Sequence, residues 1–332
     1  MKDKQSVVVI GGGTGTHVLL RGLKRYQKKL SLAAIVTMAD SGGSTGRLRD
    51  EFGYLPVGDV RMALAALASD LDADEELLRE LFLYRFNRGT GLSGHNFGNL
   101  LLVALTDILG SEEEAIRAAA KVLRVQGKVV PVTTERVDLV ATYADGITLT
   151  GEHLIDEPSP DRFEERIVSL SVTPVASISA HAERVILDAD LIVLGPGDLY
   201  TSVLANCVID GVADAIRHST ARVAYVSNLM TKAGQTSGMG VAEHLAEIVR
   251  YTGRQPDFVI VNTAPLPEDL LARYAADGEY PVAFNYEGVE TRVIPGDLLT
   301  GEVIETASGD VLKRSLIRHD PRKLARKLLD II

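Results

Sequence analysis

Five short apolar runs punctuate the chain: Val7–Ile10, Ala33–Thr37, Asp190–Leu194, Arg222–Val226 and Asp257–Val261. Each is too short for a helix, rich in β-branched residues, and halted by a cluster of Gly, Ser, Thr, Asn or Asp, as in strands buried on both faces. Between them the apolar positions fall at helical spacing, first at Val18, Leu19, Gly22, Leu23 and Tyr26. Further helices are predicted from Asp59 to Ser69, Glu75 to Phe86, from an opening in Leu92–Leu100 to near Leu109, Ser111 (as cap) to Arg124, Ala182 to Ala189, Val203 to His218 and Val241 to Tyr251. A last one starts at Pro321 with Leu324, Leu328 and Leu329 inward. Strand–helix alternation predicts an α/β, Rossmann-like, doubly wound and mainly parallel sheet in one large domain spanning 1–332. Residues 70–175 break the rhythm. There a Asp145-Gly146 turn between Val137–Tyr143 and Ile147–Thr150 reads as a hairpin, and Arg166–Val172 as another strand. This stretch is an excursion of helices and antiparallel strands. The segment Pro281–Arg292 is a further strand candidate.

Right-handed crossovers would bring the loops after all five runs to one sheet edge. The first is Gly11-Gly12-Gly13-Thr14-Gly15. Its glycines and the following helix start suit a phosphate. The spacing is not G-x-G-x-x-G, because Thr16 stands at the third glycine, and no Lys follows to make a P-loop. The second loop carries Asp40, Gly42, Gly43 and Arg47. Asp40 could grip a ribose, hold Mg2+ or cap its turn. Asp59 reads as a helix N-cap, with Arg61 in reach of a phosphate. His95 and Asn99 form a polar helix start, either a binding rim or structural hydrogen bonders. Gly195, Gly197 and Thr201 make a third turn, and Asn228 and Thr231 a fourth. Tyr274 is a stacking face or a core tyrosine; Arg318 is a phosphate or uracil contact or a solvated arginine.

Composition narrows the partners. The 332 residues are 46% hydrophobic with a net charge of −10, and the pI is about 5.3. That balance argues against wrapping a nucleic acid polymer. The single cysteine, Cys207, lies in an apolar run and reads as a buried hydrophobe. Met1–Ser6 is polar, without a signal-peptide core, and no run approaches a membrane span. A soluble, cytoplasmic protein is expected. Whether it forms a homo-oligomer is open.

Taken together, Gly11–Gly15, the Asp40 loop ending Gly46-Arg47-Leu48-Arg49, Gly58-Asp59-Val60-Arg61, Gly94-His95-Asn96-Phe97-Gly98-Asn99, Gly195–Ser202 and Asn228-Leu229-Met230-Thr231 resemble the gluconeogenesis factors, the YvcK-like proteins. These belong to the superfamily of CofD, the 2-phospho-L-lactate transferase. The resemblance implies a cytosolic bacterial factor that binds a nucleotide or nucleotide sugar, with UDP-N-acetylglucosamine as the best candidate. It links that factor to growth on gluconeogenic carbon and to cell shape, with no established reaction. CofD itself implies the alternative, a Mg2+-dependent transfer of phospholactate from a guanosine diphosphate carrier. An NAD-linked protein is a third option, disfavoured by the glycine spacing. The chain departs from the family pattern at Ser41 (usually Asp), Met62 (Asn), Asp198 (Ser), Lys232 (Gln) and Gln235 (Glu). Losing a carboxylate at 41 weakens the metal reading.

Overall fold

In the computed structural model the described residues are 4–285, 288–301 and 316–332. Met1–Asp3 of the polar N-terminus, and residues 286–287 within the Pro281–Arg292 candidate, lie outside them.

The five predicted strands pair in one parallel sheet of seven. Its strands are β1 (Gln5–Gly11), β2 (Leu30–Val36), β3 (Lys128–Pro131), β7 (Leu191–Leu194), β8 (Arg222–Val226), β9 (Phe258–Asn262) and β10 (Arg292–Gly296), in the order β10-β9-β8-β7-β1-β2-β3. The chain winds outward through β1, β2 and β3, then returns to the other side of β1 to lay down β7 and wind the opposite way. That reversal is a topological switch point between β1 and β7, where Val7 pairs with Leu191 and Ile10 with Leu194. Val7–Ile10 and Ile192–Leu194 are wholly buried, as strands covered on both faces require.

Helices α1 (Gly13–Lys24), α2 (Gly43–Phe52), α3 (Gly58–Leu67), α4 (Ala73–Leu83), α5 (Phe97–Leu109) and α6 (Glu112–Val122) precede β3. The 3-stranded antiparallel sheet comprises β4 (Asp138–Tyr143), β5 (Thr148–Thr150) and β6 (Ile167–Thr173), in the order β5-β4-β6, with α7 (Glu152–Asp156) between its last two strands in sequence. Then follow α8 (Ala180–Leu187), α9 (Ala205–Cys207), α10 (Val212–His218), α11 (Val241–Thr252), α12 (Glu268–Ala276) and α13 (Pro321–Leu329). Among the described residues no helix is long and apolar enough to cross a membrane.

Several expectations are corrected. The continuous helix Val203–His218 is instead a π turn, Leu199–Leu204, then α9, then α10; Gly211, at φ +90, breaks it. The helix predicted at Glu75–Phe86 runs Ala73–Leu83, because Asp72 caps it by accepting from Glu75 N. The helix at Ala182 begins at Ala180, capped by Ser179. Pro281 makes only a single bridge, to Met230, and the edge strand is β10 further on. Asp59 is not a cap: α3 starts at Gly58, and Asp59 sits in its first turn. The short β3, ending in proline, was not foreseen.

Helix α1 packs on α3 beneath the sheet edge, and Leu64 of α3 is fully buried. Leu64→Ala will cost about 2–5 kcal/mol, by lost transfer energy and the cavity left behind. Urea denaturation checks this as a lowered midpoint at unchanged slope.

Candidate functional site

The C-terminal ends of the parallel strands open into a cleft of about 470 Å³. Of the residues singled out in the sequence, Gly12, Gly13, Thr14, Gly15, Asp40, Gly42, Arg61, Asn99, Gly197, Thr201, Asn228, Thr231, Tyr274 and Arg318 line it. The other five lie elsewhere. Gly11 is the last residue of β1, and Gly195 bonds back to Ile10 O, both beneath the floor. Gly43, at φ +47, starts α2 and turns away. Arg47 reaches outward to Ser93 O. His95 is buried, its Nδ1 3.2 Å from Ser44 Oγ, and burial and the nearby Arg47 lower its pKa.

The switch point is tight. A Cβ on Gly15 would stand 2.5 Å from Pro196 O and 2.9 Å from Gly197 N, so only glycine lets the start of α1 meet the turn after β7. Thr16 Oγ1 donates to Pro196 O at 3.3 Å. Asn228 Nδ2 donates to Gly197 O at 2.8 Å, and Asn228 Oδ1 accepts from Tyr225 OH at 2.9 Å. Asn228 thus ties the turn after β8 to the turn after β7. Thr231 is similarly engaged, its hydroxyl accepting from Tyr280 N at 2.9 Å. Tyr274 OH accepts from Leu316 N and Ile317 N, which pins the segment carrying Arg318 to α12.

The glycine loops already hold acceptors, and those acceptors are the protein's own carboxyl groups. Gly13 N donates to Asp59 Oδ1 at 2.8 Å, and Gly42 N to Asp40 Oδ1 at 2.9 Å. Gly12 and Gly58 leave the room: a Cβ on Gly12 would meet Asp59 Oδ2 at 2.1 Å, and one on Gly58 would meet Asp40 Oδ2 at 2.1 Å. The N–H groups of Thr14 and Gly15, in the first turn of α1, have no acceptor within the helix, and both residues line the cleft.

Carboxylates crowd this end of the cleft. Burial, then the charge of Asp40, pushes the Asp59 carboxyl up to about 7. Burial raises Asp40 too, against the Gly42 N–H, the Thr45 hydroxyl and Arg61. Glu152 and Asp156 come from α7, in the antiparallel excursion; burial and the charge of Asp40 raise Glu152 well above its usual range. Further along, burial pushes Asp198 up to about 7, opposed by Lys232. Burial works against the charge on Lys232, but Asp156, Asp198 and Glu279 outweigh it and raise its pKa; its ammonium lies 3.7 Å from Asp156. Among basic groups, Arg61 Nε donates to Asn99 Oδ1 at 2.8 Å, and Asn99 is held in turn by Ser44 and Thr45. Arg273 and Arg318 also line the cleft.

Sequence reading missed Glu152, Asp156, Glu279, Arg273 and His319 as cleft residues. None has a motif; α7 is held at the cleft by long-range contacts, Ser41 Oγ accepting from His153 N, Glu152 accepting from Ser41 N, and Asp156 accepting from Thr201 Oγ1. Asp59 could have been found from the paired glycines at 12 and 58.

The family profile described as 2-phospho-L-lactate transferase CofD matches residues 7–299. A gluconeogenesis factor of Bacillus subtilis is 38% identical, covering 100% of this chain and 99% of that protein. One of Halalkalibacterium halodurans is 40% identical over 98% of this chain and 96% of the relative. The crystal structure of a UPF0052 family protein from Bacillus halodurans superposes with a TM-score of 0.88 at 37% identity, covering 99% of this chain and 100% of that one. With the doubly wound fold and its switch-point cleft, these matches place the chain in the gluconeogenesis factor family, within the CofD-like proteins.

Proposed function

We propose that the cleft binds a nucleotide sugar of the UDP-N-acetylglucosamine kind, in a cytoplasmic factor serving carbon metabolism and cell shape. One observation carries the ligand class: the first turn of α1 and the turn after β7, packed against one another at the switch point, both line a cleft of about 470 Å³. That is where open α/β sheets take phosphate-bearing ligands, and the volume is that of a small-molecule site. Thr14 and Gly15 N–H groups and Arg61 would meet the diphosphate, and Tyr274 and Arg318 the base. Asp40 is left for a ribose or sugar hydroxyl. Calorimetric titration with UDP-N-acetylglucosamine, other uridine nucleotide sugars, GDP and NAD tests this. Saturable heat with a uridine sugar supports it; its absence from every uridine sugar removes it. Arg61→Met will weaken that binding about 10-fold or more, because a charge-assisted contact is lost.

The carboxylates favour a second reading, Mg2+-dependent transfer from a nucleoside-diphosphate-linked donor. Mg2+ is commonly held by one or two carboxylates plus ligand phosphates. Asp40 and Asp59, both buried and both raised, with the charge of Asp40 acting on Asp59, are such a pair. Among the described residues no three His, Cys, Asp or Glu gather as a metal cage, so the ligand's phosphates would complete the set. The ion would offset diphosphate charge. Arg61, oriented by Asn99, would hold the phosphate, and the Gly13 N–H fixes the Asp59 carboxylate. Binding indifferent to EDTA, with no donor consumed, rejects this reading and leaves the first intact.

A further inference from the structure

Helix α4 carries its apolar face on the outside. Leu77, Leu78 and Leu81, with Tyr84 just beyond its end, recur at helical spacing and are 64, 38, 42 and 49% exposed. The residues it buries are Glu75 and Phe82. The helix cannot simply roll over. Glu75 accepts from Ser69 Oγ at 2.6 Å, Leu71 N at 3.0 Å and Arg124 at 2.6 Å, and Phe82 is 1% exposed. Single exposed leucines are ordinary; a stripe of them held outward along one helix marks a contact surface.

The charges choose the occupant. Exposed Asp72, Asp74 and Glu76 mark the start of α4, exposed Glu80 flanks the stripe at mid-helix, and exposed Arg88 follows its end. A second copy laid antiparallel sets each acidic end beside the other's basic end, Leu77 beside Tyr84, and Leu81 near the axis. A parallel copy would set acid on acid. An isologous contact of this kind is self-complementary, and the two helix dipoles also oppose. We propose that α4 is the seam of a two-fold homodimer, paired antiparallel with α4 of a second copy. This does not depend on what the cleft binds.

Sedimentation velocity of the full chain across the micromolar range is expected to show a species of twice the 35.7 kDa chain mass. Leu77→Glu with Leu81→Glu should weaken dimerisation about 100-fold or more, since truncating the buried centre of an interface removes most of its strength. Asp74→Arg and Arg88→Asp should each weaken it, and the two together should restore it. Should a glutamate variant not fold, Leu81→Cys serves instead: dilute oxidation should give a disulfide-linked dimer, the native Cys207 being buried. A wild-type chain that stays monomeric, a dimer untouched by the glutamates, charge reversals that do not rescue, or Leu81→Cys that does not cross-link overturns the proposal.

Discussion

Asp59→Asn raises the thermal midpoint at pH 8 and weakens the ligand. The native carboxyl titrates at about 7 against an ordinary 3.8, because it is buried and faces Asp40. Between those values the folded chain holds a proton that the unfolded chain has released. Stability is therefore lost as pH rises through that window, and the full penalty stands above it. Asparagine removes the penalty and still accepts from Gly13 N. A gain of about 2–4 kcal/mol at pH 8 follows, or roughly 3–6 °C for a chain of this length. At pH 5, where the native group is already mostly protonated, the gain shrinks to about 1 kcal/mol. Scanning calorimetry of both proteins at the two pH values checks it, and equal midpoints at pH 8 would contradict it. If Asp59 also meets a divalent ion, the variant loses any Mg2+ enhancement of nucleotide-sugar affinity. A stabilising change that weakens the ligand is the usual mark of a site under strain.

Gly15→Val closes the switch point. The new side chain begins 2.5 Å from Pro196 O and 2.6 Å from its carbonyl carbon, both backbone atoms that cannot swing aside. Either the start of α1 or the turn after β7 must move, and each carries cleft residues. Overpacking of this kind costs about 1–3 kcal/mol. The larger effect falls on the ligand: calorimetric affinity for the nucleotide sugar should drop at least about 100-fold, as donors leave their positions. Gly91, which has open space around it, is the control; Gly91→Ala should leave affinity unchanged.

The frame of the sheet was legible because its strands are buried on both faces. Val7–Ile10 and Leu191–Leu194 leave no alternative to a covered parallel strand, and the turns after them follow from handed crossovers. The short β3 was not legible, since four residues ending in proline carry no periodicity. Neither was the break after Cys207, because apolar spacing persists across Gly211 while the backbone does not. In the site, glycines pointed to the cleft edge, but not to the carboxyls there: two of their amides hold Asp59 and Asp40. Asn228 and Thr231, chosen for a ligand, have hydrogen bonds to the protein itself. Glu152 and Asp156 arrive from an antiparallel excursion with no local pattern to announce them. For α4 the sequence gives an amphipathic helix and is silent on which face turns inward; the ties of Glu75 decide that.

Cys207 has a use that its burial supplies. It is the chain's single thiol, 4% exposed, and burial pushes its pKa up to about 12. An alkylating reagent in native buffer reaches no thiolate until the core where α9 packs on β1 and β6 opens. Labelling of the untouched wild-type protein is thus a built-in clock for opening of that region, and any cysteine placed at the cleft rim would react against a silent background.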